Sequence, residues 1–279
     1  MIRAIFDPTF DGWRAAARRL LDEETAPDTI LWHPGDADQS TLDGFAADAP
    51  AAAVDAAPSA RFRVPRRFFE LAQAAACHAE SERWALLYRV LWRVTHGEPH
   101  LLDVAVDPDV HRLLRMEKAV RREVHKMHAF VRFKEVADED GSSRYVAWYE
   151  PTHPVVERAV PFFAERFASM RWSILTPLGC AHWDGETLDL TPALPRSAAP
   201  ADDELEPLWR TYYRSTFNPA RVRTKAMLAE MPVRYWKNLP EAHQIGELVR
   251  EAPQRVRGMI ERQGLPAELR RPPRRRTEE

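Results

Sequence analysis

Cysteine is scarce: the 279 residues contain two, Cys77 and Cys180. That number excludes a disulfide scaffold and any four-cysteine zinc or iron–sulfur site within the chain, and it fits a reducing cytoplasm. Long apolar runs are missing too. No window approaches the roughly 18 uninterrupted apolar residues of a membrane span. The N-terminal MIRAIFDPTF has no basic stretch followed by an apolar one, so neither a membrane association nor a secretory leader is expected. There is no large excess of either charge, with 40 Lys+Arg against 42 Asp+Glu. An acidic partner therefore has to be argued from local patches, not from the total. The phosphate loop G-x-x-x-x-G-K-[ST], the G-x-G-x-x-G fingerprint, G-x-S-x-G and H-E-x-x-H are all absent. What is present is an ordinary 45% hydrophobic composition, enough for a sizeable core in one large domain or two modest ones.

Charge is distributed unevenly. Residues 1–60 hold 4 basic and 11 acidic side chains, whereas residues 107–134 hold 8 and 4, residues 210–237 hold 7 and 1, and residues 250–276 hold 9 and 3. An acidic head thus precedes a basic second half.

Periodicity predicts an α+β protein with a small central antiparallel sheet, packed helices and a helical C-terminal region. Residues 1–33 read β–α–β, with Ile2–Phe6 and Ile30–Trp32 as strands around an amphipathic stretch through Trp13, Ala17, Leu20 and Leu21. The Ala-, Asp- and Pro-rich residues 34–60 read as a variable loop. Residues 61–193 form the expected α+β core. It starts with helical pattern from Pro65 to about Thr95, broken near Ala79–Ser81. Asp107 and Pro108 then open a helix running to about His128, with Val110, Leu113, Leu114, Val120, Val124 and Met127 on one face. Glu117, Arg121 and His128 fall at the margin of that face, where a charge needs a partner. Alternating segments Phe130–Val136 and Tyr145–Glu150 flank the turn DEDGSS. A helix from Pro154 to about Met170 follows, with a kink expected at Pro161. Trp172–Leu175 and Ala181–Leu190 are further strand, with Asp184-Gly185 as a tight turn. Residues 194–204 read as a linker and 205–263 as helical, with stripes through Leu205, Leu208, Trp209 and Tyr212 and through Ile245, Leu248, Val249 and Val256, the latter interrupted at Pro253. The Arg-rich 264–279 should be disordered.

Two basic segments carry the binding hint. On the 108–128 helix, Arg115, Lys118, Arg122 and Lys126 recur at spacings of three and four, and Arg132 and Lys134 follow. In FNPARVRTKAMLAEMPVRYWKNLPEA, Arg221, Arg223, Lys225, Arg234 and Lys237 sit among Phe217, Tyr235 and Trp236. Cations neutralise phosphates and aromatic rings stack bases, at about 1–3 kcal/mol per base. The alternative is a solvated helix face, with Tyr235 and Trp236 as core anchors. Candidate acid–base groups are His125, His128, His153 and Glu150; His153 precedes a helix, whose N-terminus would lower its pKa. His125 and His128 have H-x-x-H spacing, but Glu123 lies far around the helix from His125, so no metal site is assigned.

The segments VRREVHKMHAFVRF, YEPTHPVVERAVPFFAERF and FNPARVRTKAMLAEMPVRYWKNLPEA resemble a bacterial family of proteins linked to DNA repair or DNA metabolism. Its members are encoded beside a radical-SAM protein, and a related domain is fused in front of a uracil-DNA glycosylase-like domain. The resemblance runs from the N-terminal β–α unit to about residue 262, leaving out 34–60 and the tail. It implies DNA and a radical-SAM protein as partners. It supplies no catalytic set to carry over. The C-x-x-x-C-x-x-C cluster of radical-SAM chemistry is absent and would belong to the partner; a glycosylase motif is absent as well, and no cofactor is expected. Three function classes follow. The first is a DNA-binding accessory of a radical-SAM enzyme. The second is a metal-independent enzyme acting on a nucleic-acid base through the His and Glu residues above. The third is a protein-only assembly partner.

Overall fold

The computed structural model describes residues 1–35, 62–137, 143–199, 214, 217–239 and 242–263. The chain divides into two compact units, residues 1–128 with 151–161, and residues 129–150 with 162–279. The single core expected over 61–193 is therefore shared between them, because residues 129–150 build a sheet with the later strands while 151–161 pack with the first helices. Most of the expected 34–60 loop, the DEDGSS turn, the stripe from Leu205 to Tyr212 and the 264–279 tail lie outside the described residues.

In the first unit, β1 (Ile2–Phe6) pairs in parallel with β2 (Ile30–Pro34). Parallel neighbours need a crossover, and α1 (Phe10–Asp22) provides it. Thr9 caps α1 by accepting the Gly12 amide at 3.1 Å. The chain doubles back so tightly that a Cβ at position 12 would lie 2.3 Å from the Asp7 carbonyl oxygen; glycine is required there. Trp13, Ala17, Leu20 and Leu21 are buried, the i, i+4, i+7, i+8 stripe of an amphipathic helix. They meet an aromatic core in which Trp13 and Trp84 stack at 6.4 Å and Phe6 packs edge-on to Trp84. The Trp13 indole N–H donates to the Trp84 carbonyl at 3.2 Å, so burial leaves that donor satisfied.

The helices α2 (Arg66–Ala76), α3 (Arg83–Thr95) and α4 (Pro108–Phe130) complete this unit, apart from the last two residues of α4, which belong to the second. Asp107 opens α4, its carboxylate accepting the amides of Asp109 and Val110 at 3.0 and 3.1 Å. The buried face is Val110, Leu113, Met116, Val120, Glu123 and Met127. Leu114 and Val124 are only half-buried, because the stripe follows i, i+3, i+7 through Met116 and Glu123. Glu117, at the margin, meets a bidentate Arg67 at 3.0 and 2.9 Å. His128 donates its Nε2 proton to the Ala159 carbonyl at 3.0 Å, which ties residues 151–161 to α4.

The second unit is a five-stranded sheet ordered β3 (Lys134–Ala137), β4 (Ser143–Trp148), β5 (Trp172–Leu175), β6 (Cys180–Trp183) and β7 (Leu188–Thr191). The sheet is mixed, not wholly antiparallel: β4 and β5 run parallel, since α5 (Val156–Arg166) separates them as a crossover. β3 begins later than expected because α4 continues to Phe130. Arg132 then closes that helix, its guanidinium donating to the Ala129 and Val131 carbonyls at 2.8 and 3.2 Å. At the β6–β7 turn, the Asp184 carboxylate accepts the amides of Glu186 and Thr187, and Gly185 takes φ +110°. Phe133 packs edge-on to Phe163 and Phe167 and lies against Trp172. After the sheet come a 3-10 turn at Pro219–Arg221, α6 (Thr224–Glu230), a 3-10 segment at Val233–Asn238 and α7 (Ala242–Gln263). α7 runs unbroken through Pro253, so the interruption expected there does not occur. Among the described residues, no helix is long and apolar enough to cross a membrane.

Candidate functional site

The basic stripe of α4 lies in the first unit. Arg115, Lys118 and Arg122 are exposed and Lys126 is half-buried, as the apolar stripe opposite them dictates. Arg115 is close enough to Glu80 to help hold that carboxyl below its usual range, after the hydrogen bond from Arg112. His125 is exposed. Burial depresses the pKa of His128, partly offset by its bond to Ala159; with Nε2 already engaged, its role in this geometry is to pack. Among the described residues, no three His, Cys, Asp or Glu side chains are grouped to hold a metal.

The elbow between α2 and α3 holds a pair that the sequence reading missed. His78 stacks against His153 with ring centroids 4.3 Å apart. The Glu80 amide donates to Nδ1 of His78 at 3.3 Å and the Ala79 amide to Nδ1 of His153 at 3.2 Å. Both neutral rings therefore carry their proton on Nε2. Burial, then the charge of His153, depress the pKa of His78. The neighbouring Cys77 thiol is pushed up by burial, which makes it a poor nucleophile. Arg112 bridges Glu80 at 2.8 Å and also meets Glu82. Only A-C-H-A-E at a helix end announced this cluster, and its partner lies 75 positions away.

The second unit carries the other basic segment. The Asn218 side chain accepts the Ala220 amide at 3.0 Å and starts the turn that displays Arg221; Arg223 and Lys225 follow at the entry to α6. All three are exposed and make no ion pair among the described residues. Tyr235 is different. It is 2% exposed, parallel to Tyr149 within 9° at 5.5 Å and stacked on Phe130 at 5.3 Å. It therefore anchors the core and is withdrawn from the expected role of base-stacking platform. Arg234 lies over the Tyr235 ring at 4.6 Å and donates to its hydroxyl. Trp236 is half-buried, its indole N–H on the Met231 carbonyl at 3.0 Å.

Lys237 is joined to Glu150, Nζ to Oε2 at 2.5 Å, and the other oxygen of Glu150 accepts the Trp148 indole N–H at 2.9 Å. Burial raises the Glu150 pKa, but the bonds from Lys237 and Trp148 outweigh it and the net direction is downward. An ionised, doubly engaged carboxylate is a weak base and no acid at neutral pH. Glu150, Val233, Arg234 and Lys237 line a cleft of about 340 Å³. Of the cations expected to join this surface, Arg132 closes α4 instead, and Lys134 is half-buried on β3.

The geometry thus assembles two candidate centres, one in each unit: the His78–His153 elbow, and the basic 217–237 segment with its cleft at Glu150. A search of curated proteins and one of solved structures return no match. A family model described as a domain of unknown function, DUF4130, matches residues 81–241, a span that holds Glu150, His153 and the whole 217–237 segment. That match covers more than half of the 279 residues, and the chain belongs to the DUF4130 family.

Proposed function

We propose that this protein binds DNA through phosphate contacts and serves as the DNA-engaging accessory of a radical-SAM enzyme in repair or modification. One observation supports the binding half most directly. Arg221, Arg223 and Lys225 project into solvent from a five-residue stretch with no ion pair among the described residues. Exposed cations without carboxylate partners are available for phosphates, whereas paired ones must first break a bridge. Arg115, Lys118 and Arg122 on α4 add a second exposed basic face. Trp236 is the ring left for base contact. The radical-SAM partner comes from the family resemblance, and the shortage of cysteine agrees with placing the cluster elsewhere. The test is retention of labelled single- and double-stranded DNA on filters at 50 mM salt, an experimental choice on the scale where phosphate contacts act. Salt-sensitive retention is expected; none would remove the reading.

A second reading, a metal-independent enzyme acting on a nucleic-acid base, is favoured by the His78–His153 pair, because two neutral imidazoles in contact place two groups able to give or take a proton side by side. Loss of cellular repair in a His153→Asn variant that stays folded would favour it over the accessory role. Co-purification of a radical-SAM protein with no DNA binding would instead point to an assembly partner.

A further inference from the structure

The turn at Pro219–Arg221 packs against α7, and the two bound a second cleft in the same unit, of about 500 Å³, within the range of small-molecule sites. Pro219 and Val222 line it from the turn side; Val249, Pro253, Val256 and Arg257 line it from α7. The α7 residues fall together because spacings of three, four and seven share one helix face. Apolar groups supplied by both elements suit a flat, weakly polar ring. Pro253 also changes the backbone here. It has no N–H, so the Val249 carbonyl loses its ordinary i+4 donor, and a ligand N–H is suited to replace it.

The border of the cleft is cationic. Val222 is extended, at φ −66° and ψ 118°, and lines the cleft while Arg221 and Arg223, its neighbours in the chain, stay exposed. Arg257 belongs to the cleft itself, its Nε donating to the Pro253 carbonyl at 3.4 Å. None of the three makes an ion pair among the described residues. An apolar slot bordered by cations matches a nucleobase with a phosphate before and after it, a succession that a DNA strand offers at every nucleotide.

We propose that this cleft takes one unstacked base of single-stranded DNA, with the adjoining phosphates on Arg221, Arg223 and Arg257. The inference deepens the DNA-binding reading and rests on it.

The test measures fluorescence anisotropy with the full chain and three probes of equal length: oligothymidine, an abasic strand that keeps the phosphates, and a duplex. Oligothymidine should bind about tenfold tighter than the abasic strand. Val256→Phe fills the cleft with a ring of the protein's own and should cut that ratio about fivefold. Pro253→Ala returns an amide N–H to the Val249 carbonyl, so it should raise the thermal midpoint while cutting the ratio about threefold. A wall serving packing alone would move the midpoints and leave the ratio as it was. A lowered ratio in either folded variant supports the site, and Pro253→Ala decides if Val256→Phe does not fold. A ratio unchanged in both overturns the cleft and leaves DNA binding intact. Equal binding of the two single strands, or binding of the duplex alone, likewise overturns only the cleft. No binding of any probe overturns both readings; a co-purifying protein released by Val256→Phe would then make the cleft a protein interface.

Discussion

His78 and His153 stack with their ring planes 31° apart and their centroids separated by 4.3 Å, and each receives a backbone amide on Nδ1. With Nε2 already protonated, a second proton on either ring has to displace that amide and places one cation against the other ring. The charged groups facing His78 are His153, Glu80, Arg83 and Arg112. Arg83 and Arg112 oppose protonation, and Glu80 favours it.

The pH dependence follows from linkage. Unfolded histidine titrates near about 6.5, and burial holds folded His78 lower. Between those values the unfolded chain binds more protons, so stability is intact above about pH 6.5 and declines as pH falls toward the folded value. Thermal unfolding from about pH 8 down to 5 should show that decline. His78→Asn, which can accept the Glu80 amide without titrating, should flatten it; an unchanged slope would remove His78 as its source.

Tyr235 and Trp236 should separate cleanly. Tyr235→Ala empties a stacked core position and costs about 3–5 kcal/mol, read by chemical denaturation. Trp236→Ala should weaken single-strand affinity by about 1–3 kcal/mol per lost base stack. If Tyr235→Ala left stability untouched, the packing against Tyr149 and Phe130 would be wrong.

On the proposed reading, the exposed cations should affect DNA binding and leave folding unchanged. Replacing Arg221, Arg223 and Lys225 together by Ala should leave unfolding free energy within about 1.5 kcal/mol, since each exposed change is worth about ±0.5. The slope of log affinity against log salt should fall by about 2–3, near 0.7–0.9 per lost phosphate contact. A salt titration with unchanged slope would take the segment out of the interface.

Asp107 distinguishes capping from ion pairing. Its carboxylate accepts two α4 amides and also meets Arg93 at 2.8 Å. Asn preserves the cap and loses the charge of a partly buried pair. Ala loses both, and a lost cap costs about 0.5–2 kcal/mol. The order wild type, Asp107→Asn, Asp107→Ala in denaturation midpoint is expected; equal losses for both variants would assign the effect to Arg93.

Much of the fold was legible because local rules fix it. The spacing of Trp13, Ala17, Leu20 and Leu21 marks α1 and its buried face, Asp107-Pro108 marks the start of α4, and Asp184-Gly185 marks the β6–β7 turn. Errors arose where a contact that periodicity does not register, near or distant, overrode the pattern. Phe130–Phe133 alternates like a strand, yet α4 extends to Phe130 and Arg132 caps it. Pro253 reads as a break, yet α7 packs against the Pro219–Arg221 turn and continues. The parallel β4–β5 pairing was missed because alternation reveals which face a strand buries and not which neighbour it takes.

The candidate site divides along the same line. Sequence alone determined that cations cluster at 217–237, that cysteine chemistry is minor, and that α4 sets an apolar face against a basic one; these depend on residue identity and short spacing. Only the tertiary structure decided that Tyr235 lies inside while Arg221, Arg223 and Lys225 remain outside, that Lys237 meets Glu150, and that His78 meets His153. The contacts of Tyr235, Lys237 and the His78 elbow join residues 74 to 105 positions apart. Helical and strand periodicity extends over a few turns and carries no record of which remote surface will cover a side chain.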